Sequence, residues 1–365
     1  MKTYPLESIS IKAATKKQFA LVDTITRHFN GYAILSQGDL GVHPSGNRPV
    51  STQKAEQVIA DFFNQENAML VRGAGTMAIR LALSSMVEPG DTILIHAAPI
   101  YPTTETTIKM LGLKTEKVDF NQKKEVEEAL KTTKAKVAIV QYTRQKSDDS
   151  YNLGEIVSLL AEKLKVVTDD NYAVMKVPKI GAEYGATVSC FSTFKLLGPE
   201  GIGCIVGDSE VIQAIRKENY SGGLQVQGHE ALQVLRGLIY APVALAIEAE
   251  VIDEIYDRLQ KKEVHGIKNV MIASAQSKVI LVELEDVPAP LVLKYAEQLG
   301  AAPHPVGAES KYEFVPMFYR VSGTFSRENP QYKDSMIRIN PLRAGADTVL
   351  RILEQAIISA REDGL

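Results

Sequence analysis

Short apolar runs recur through the first part of the chain, at 68–71, 92–97, 114–118, 137–141, 166–169, 187–191 and 203–206. Between most of them lie stretches with apolar residues at helical spacing, at 77–86, 105–111 and 153–164. Strand alternating with helix predicts an α/β fold: a seven-stranded, mostly parallel, buried sheet sandwiched by helices. Ligands of such sheets bind at the carboxyl ends of the strands. From 211 to about 263 the spacing is helical, and Pro242 is expected to kink or break that stretch. A smaller α+β unit is expected to follow: strand 278–284, helix 289–299, strands 312–321 and 336–339, and a closing helix 346–361. Ahead of the rhythm, residues 1–44 read as an N-terminal arm, turn-rich at Gln37-Gly38-Asp39-Leu40-Gly41 and His43-Pro44-Ser45-Gly46-Asn47. Ser51 is expected to cap a helix carrying Val58, Ile59, Phe62 and Phe63. The organisation is thus an arm over 1–44, a large domain over 45–255 and a small C-terminal domain over 256–365.

Composition narrows the function. Apolar residues make up 45% and charged residues 23% of the 365, which excludes disorder, collagen and coiled coil. A net charge of −3 leaves no basic surplus for nucleic-acid phosphates or an anionic membrane surface. No apolar run reaches membrane-spanning length, and the first twenty residues lack the apolar core of a signal peptide. Two cysteines, Cys190 and Cys204, make neither a disulfide framework nor a four-cysteine zinc site, and the six histidines show no ligand spacing. A reduced, cytoplasmic protein without a metal is expected.

Three segments at strand ends carry chemistry. Gly73-Ala74-Gly75-Thr76-Met77-Ala78 fits the G-x-G-x-x-A string of dinucleotide sites. Glycines let the backbone approach an anion, and a helix N-terminus offers unpaired N–H groups. The next run ends in His96-Ala97-Ala98-Pro99, with no acid to hold a ribose, so anion binding survives and dinucleotide binding weakens. A plain tight turn is the structural alternative. Thr168-Asp169-Asp170-Asn171-Tyr172 closes the run 166–169. A carboxylate there points toward the site region and needs a cationic partner, and one of the two suits a helix N-cap. In Phe191-Ser192-Thr193-Phe194-Lys195-Leu196-Leu197-Gly198-Pro199-Glu200-Gly201, one lysine stands among apolar residues ahead of a Gly/Pro turn. Desolvation turns such a lysine into a Schiff-base nucleophile; a snorkelling surface lysine is the alternative. Arg144, just after the run 137–141, either reaches substrate or sits in a surface loop.

A phosphate cradle, an acid for a pyridinium nitrogen and a Schiff-base lysine, in that order on successive strand ends, are the parts of a pyridoxal-phosphate site. On these segments the chain resembles the fold-type-I pyridoxal-phosphate-dependent enzymes, the aspartate-aminotransferase superfamily. Within it, the chain looks like a bacterial branch near the class V aminotransferases and the cysteine/methionine-metabolism lyases. The resemblance covers roughly residues 45–255 well and the C-terminal domain loosely. It implies pyridoxal 5'-phosphate as cofactor, with Lys195 the Schiff-base lysine and Ser192 the hydroxyl on the phosphate. Gly75 and Thr76 match the phosphate-binding backbone, and Tyr101 the aromatic stacked on the ring. Relatives place the acid three residues before an aromatic or histidine, which selects Asp169, ahead of Tyr172, over Asp170. Arg338, in Met336-Ile337-Arg338-Ile339-Asn340, matches the arginine that holds the substrate carboxylate.

The activity so implied is on an amino acid, first of all transamination. Lys195 would serve as general base at Cα and Asp169 would hold the electron sink. A lyase eliminating a β or γ substituent at C–S, or a racemase, would use the same groups. A catalytically inactive pyridoxal-phosphate-binding protein and a nicotinamide-dependent dehydrogenase are the rivals from other classes. The resemblance also implies a homodimer, with the arm or Tyr220-Ser221-Gly222-Gly223 reaching across. Arg48 sits where relatives send an arginine to the neighbouring subunit, on loose spacing that favours a structural role.

Overall fold

A computed structural model describes residues 3–273, 278–306 and 309–363. Its backbone divides into two compact units. One comprises residues 12–143 and 150–243; the other gathers residues up to 11, residues 144–149 and residues from 244 onward.

The first unit is built on seven strands: β1 (Asn67–Arg72), β2 (Thr92–His96), β3 (Lys114–Val118), β4 (Val137–Gln141), β5 (Lys165–Asp169), β6 (Val188–Ser192) and β7 (Ile202–Gly207). They lie in the order β1-β7-β6-β5-β4-β2-β3. β3, β2, β4, β5 and β6 run parallel, and β7 is antiparallel to both its neighbours. Successive side chains feed two separate cores, as the twofold period of a strand requires. Ile93, Val137, Ile139 and Val167 pack on one face with Ile79, Leu83 and Ile212. Leu94, Ala138, Val140 and Val166 pack on the other with Val126, Ile156 and Leu160. Burial on both faces is why β2, β4 and β5 read as unbroken apolar runs, whereas β3, expected as an apolar run, is polar and exposed at Lys114, Thr115 and Lys117 on the sheet edge. The register Gln141↔Asp169↔Cys190 aligns the carboxyl ends of β4, β5 and β6.

In the second unit, β8 (Ile267–Ala273), β9 (Val279–Leu284), β10 (Met317–Arg320) and β11 (Met336–Asn340) form an antiparallel sheet in the order β10-β11-β9-β8. The helices Ala289–Gln298 and Ala346–Asp363 pack Val292, Val349 and Leu353 against Ile280, Val282, Ile337 and Ile339.

Four expectations need correction. Pro242 does not break its helix, which runs unbroken from Gly228 to Gln260. The buried Leu235, Leu238, Ala241 and Leu245 carry it through the missing donor. The arm contains an eighteen-residue helix, Ile11–His28, with Leu21 and Ile25 buried. Ser51 is not a cap: the helix Val50–Phe62 starts one residue earlier, and the carboxylate of Asp39 accepts the amides of Val50 (2.6 Å) and Ser51 (2.9 Å). The strand expected over 312–321 begins only at Met317, and β8 was not anticipated, its Lys268 and Asn269 being exposed. No helix among the described residues is long and apolar enough to cross a membrane.

Candidate active site

Four segments of the first unit meet at the carboxyl ends of β5 and β6. The first is the start of the helix Ala74–Ser84. The amides of Gly73 (2.7 Å) and Ala74 (3.1 Å) both donate to the Gly201 carbonyl. The next two amides, of Gly75 and Thr76, have no partner among the described residues. The Thr76 hydroxyl lies 3.3 Å from that of Thr103. Gly203, opposite Ser192 in the β6–β7 ladder, sits so close beneath this turn that a Cβ on it would come within 2.2 Å of the Ala74 carbonyl oxygen. Only glycine allows that approach. Ser192 is thereby held beside the helix start, buried, and its hydroxyl has no hydrogen-bond partner among the described residues.

The second segment carries the acids. Asp169 Oδ1 accepts from the Asn171 side-chain amide (2.7 Å) and backbone amide (3.1 Å), while Oδ2 meets Gln141 Nε2 at 3.4 Å. Asp170 faces elsewhere and is fully buried. Its Oδ2 accepts from Thr168 Oγ1 (3.1 Å) and the Gly181 amide (3.0 Å), and Oδ1 has no partner among the described residues. Burial pushes the Asp170 carboxyl up to about 7, against the donors Ser189, Gly181 and Thr168. The two acids therefore have distinct places: Asp169 in the cluster, Asp170 locking the buried chain that follows. The Tyr101 ring is half-exposed; partial burial, and after it the negative charge of Asp169, raise its phenol above the ordinary value.

The third segment is the short turn Phe194–Leu196, which projects Lys195 after β6. Lys195 Nζ lies 3.7 Å from the ring centroid of Tyr172, a cation–π contact. Tyr172 itself adopts a left-handed backbone at φ 66°. The remaining segment is Asn171, whose side chain lies against Gly75 and accepts the Ser192 amide (3.0 Å). Lys195, Asp169, Ser192, Gly75, Thr76 and Tyr101 thus share one unit. Asn171, Tyr172 and Gln141 join them: Tyr172 entered from the sequence only as the aromatic that marks Asp169, Asn171 stood unremarked in the same segment, and nothing pointed to Gln141 at the end of β4.

Two candidates lie in the other unit. Arg338, on β11, is buried and its guanidinium stacks 5.4 Å from the ring centroid of its ladder partner Tyr319. Its Nε has no hydrogen-bond partner among the described residues. Arg144 donates to the Tyr4 carbonyl at 2.9 Å. Arg48 is spent on the buried Glu56 (2.6 Å), which also receives Arg216 (3.1 Å).

The donors of the first unit fit a phosphorylated pyridine. Two open amides at a helix N-terminus and the unpartnered hydroxyl of Ser192 are a phosphate cradle. Asp169 supplies the acid and Lys195 the amine.

The family model described as "Aminotransferase class-V" matches residues 11–237, and that described as "YhfS-like, C-terminal domain" matches residues 253–353. The chain is 51% identical over 360 residues to "Uncharacterized protein YhfS" of Escherichia coli (strain K12), covering 98% of this chain and all of that one. The crystal structure of the "pyridoxal-5'-phosphate dependent protein YhfS" from Escherichia coli superimposes with a TM-score of 0.97 over 98% of this chain and 100% of that one. Cystathionine gamma synthase from Xanthomonas oryzae pv. oryzae shares the fold at 16% identity, with a TM-score of 0.69 over 95% of this chain and 98% of that one. The chain belongs to the class-V aminotransferase family, among the fold-type-I pyridoxal-phosphate-dependent enzymes.

Proposed function

We propose that the protein is a cytoplasmic, homodimeric aminotransferase that acts on an amino acid. Gly75, Thr76 and Ser192 hold the cofactor phosphate, Asp169 pairs with the pyridine nitrogen, Tyr101 covers the ring, and Lys195 is the attachment point. When bound, the cofactor supplies a conjugated ring that accepts the electron pair left at the substrate Cα. Lys195 Nζ takes the Cα proton and returns it, which requires the amine to swing without leaving the site. The face of Tyr172 gives the ammonium form a resting place between those transfers. Arg338, with its free Nε, and Arg144 bind the substrate carboxylate.

The observation that carries this reading is the convergence of two open helix amides, the Ser192 hydroxyl, an anchored carboxylate and a lysine at adjoining strand ends. Membership of the class-V family supports transamination over elimination. Exposed apolar side chains at Tyr32, Leu35, Leu40, Val42 and Tyr220 support the dimer, since such a patch on a first unit calls for a partner. The arm lies beside the Tyr220 loop: Gly41 N donates to Gln227 Oε1 at 2.7 Å, and Asn47 Nδ2 to the Tyr220 carbonyl. The test is an amino-acid panel read by keto acid and by ammonia, with borohydride fixation and peptide mapping of the cofactor. Keto acid with amino-group transfer supports the proposal. Ammonia release makes the protein a β/γ-eliminating lyase instead, and cofactor fixed on Lys195 without turnover makes it a binding protein.

A further inference from the structure

We infer that Asn171 is a positioning residue that ties the acid to the phosphate cradle, an inference that rests on the cofactor reading above. Its side-chain amide is used at both ends. Nδ2 donates to Asp169 Oδ1 at 2.7 Å, and Oδ1 accepts the Ser192 amide at 3.0 Å. Its backbone takes part as well: the amide donates to the same Asp169 oxygen at 3.1 Å, and the carbonyl accepts Thr143 Oγ1 at 3.1 Å. The flat side chain rests on Gly75, so closely that a Cβ there would lie 2.6 Å from both Nδ2 and Oδ1. One residue thus touches the acid, the hydroxyl-bearing strand end and the helix start.

The chemistry selects this side chain. Joining a carboxylate to a backbone N–H needs one group that both donates and accepts, which among short side chains is the carboxamide of asparagine. Aspartate keeps the acceptor for Ser192 but loses the donor and sets a like charge beside Asp169. Glutamine adds a methylene where Gly75 leaves no room. With Oδ1 of Asp169 fixed by two donors and Oδ2 held among the described residues by Gln141 at 3.4 Å, the carboxylate presents a single oxygen in a set direction. A group bound to Asp169 at one end and to Ser192 and Gly75 at the other then meets two contacts whose separation Asn171 fixes.

The experiment compares Asn171→Ala, Asn171→Asp and Asp169→Asn as holoenzymes. Three quantities are read: the cofactor dissociation constant, the pH midpoint of the bound cofactor's visible absorbance, and the thermal midpoint of each cofactor-free protein. Asn171→Ala is expected to weaken cofactor binding roughly tenfold, the loss of one hydrogen bond to a charged group. It is also expected to shift the absorbance midpoint in the same sense as Asp169→Asn, but by less. Asn171→Asp, which adds negative charge beside the acid, is expected to shift that midpoint in the opposite sense. A role in folding alone would lower the thermal midpoint and leave the other two readings where they are; that result overturns the inference. If Asp169→Asn moves the absorbance midpoint and both Asn171 variants leave it unchanged, only the Asn171 inference fails. If Asp169→Asn leaves it unchanged as well, the assignment of the acid fails and the inference falls with it. Should Asn171→Ala not fold, the isosteric Asn171→Asp decides alone, an unmoved midpoint being the refuting outcome.

Discussion

Asp170→Asn is expected to remove the pH dependence that this buried acid imposes on stability. In the folded chain the carboxyl is pushed from its ordinary 3.8 up to about 7, because it is fully buried and one of its oxygens has no partner. The folded state therefore binds the proton more tightly than the unfolded state. Below about pH 4 both states are protonated and the group is neutral in its effect. As pH rises from about 4 to about 7 the unfolded chain gives up the proton and the folded chain keeps it, so stability falls. Above about 7 the loss is complete and flat. The full displacement corresponds to about 4 kcal/mol, an upper bound because the folded chain can relax around the charge. Asp170→Asn keeps an acceptor for Thr168 and Gly181 and removes the titration. It costs about 1–3 kcal/mol at every pH for the amide donor placed where Oδ1 had no partner. The measurement is urea unfolding of the cofactor-free wild type and variant from pH 4.5 to 8.5, taken as the difference between them, so that the contributions of other groups largely cancel. The difference should move in the variant's favour by several kcal/mol across that range. A difference that stays constant with pH would refute a neutral, buried Asp170.

Lys195→Ala is expected to abolish turnover and borohydride fixation while the cofactor still binds through Gly75, Thr76 and Ser192; fixation on another lysine would displace it from its role. Arg338→Ala is expected to raise KM by about a hundredfold with kcat changed far less, the cost of one charge-assisted carboxylate pair; an unchanged KM would leave the carboxylate to another residue. Light scattering at assay concentration is expected to show a dimer burying more than about 1,200 Å² in total, weakened by Tyr32→Glu with Leu35→Glu; a monomer fully active on dilution would remove the shared interface.

The strands inside the sheet were legible because a strand covered on both faces must be apolar at nearly every position, whatever its neighbours are; β3, at the sheet edge with Lys114, Thr115 and Lys117 exposed, lacks that signal. The resemblance that named the cofactor class rested on local order: glycines before a helix, acids after a strand, one lysine ahead of a Gly/Pro turn. Such signals are contiguous in the chain and survive without coordinates. Other features depend on groups brought together from afar. Nothing adjacent to Val50 announces that Asp39 caps its helix, and Pro242 looks like a break until the buried residues around it are counted. Segments 1–11 and 144–149 join the unit of the last third of the chain through contacts that no local pattern encodes. The division of labour between Asp169 and Asp170 is of the same kind. The two neighbours are chemically identical, and the strand alternation, carried one residue past β5 by the Asp170 amide on the Cys190 carbonyl, sends one carboxylate toward Asn171 and Gln141 and the other toward Thr168, Ser189 and Gly181. The sequence by itself determined which residue types stand at the strand ends; the tertiary structure decided which atoms they meet, because direction and distance are set by packing across the sheet rather than along the chain.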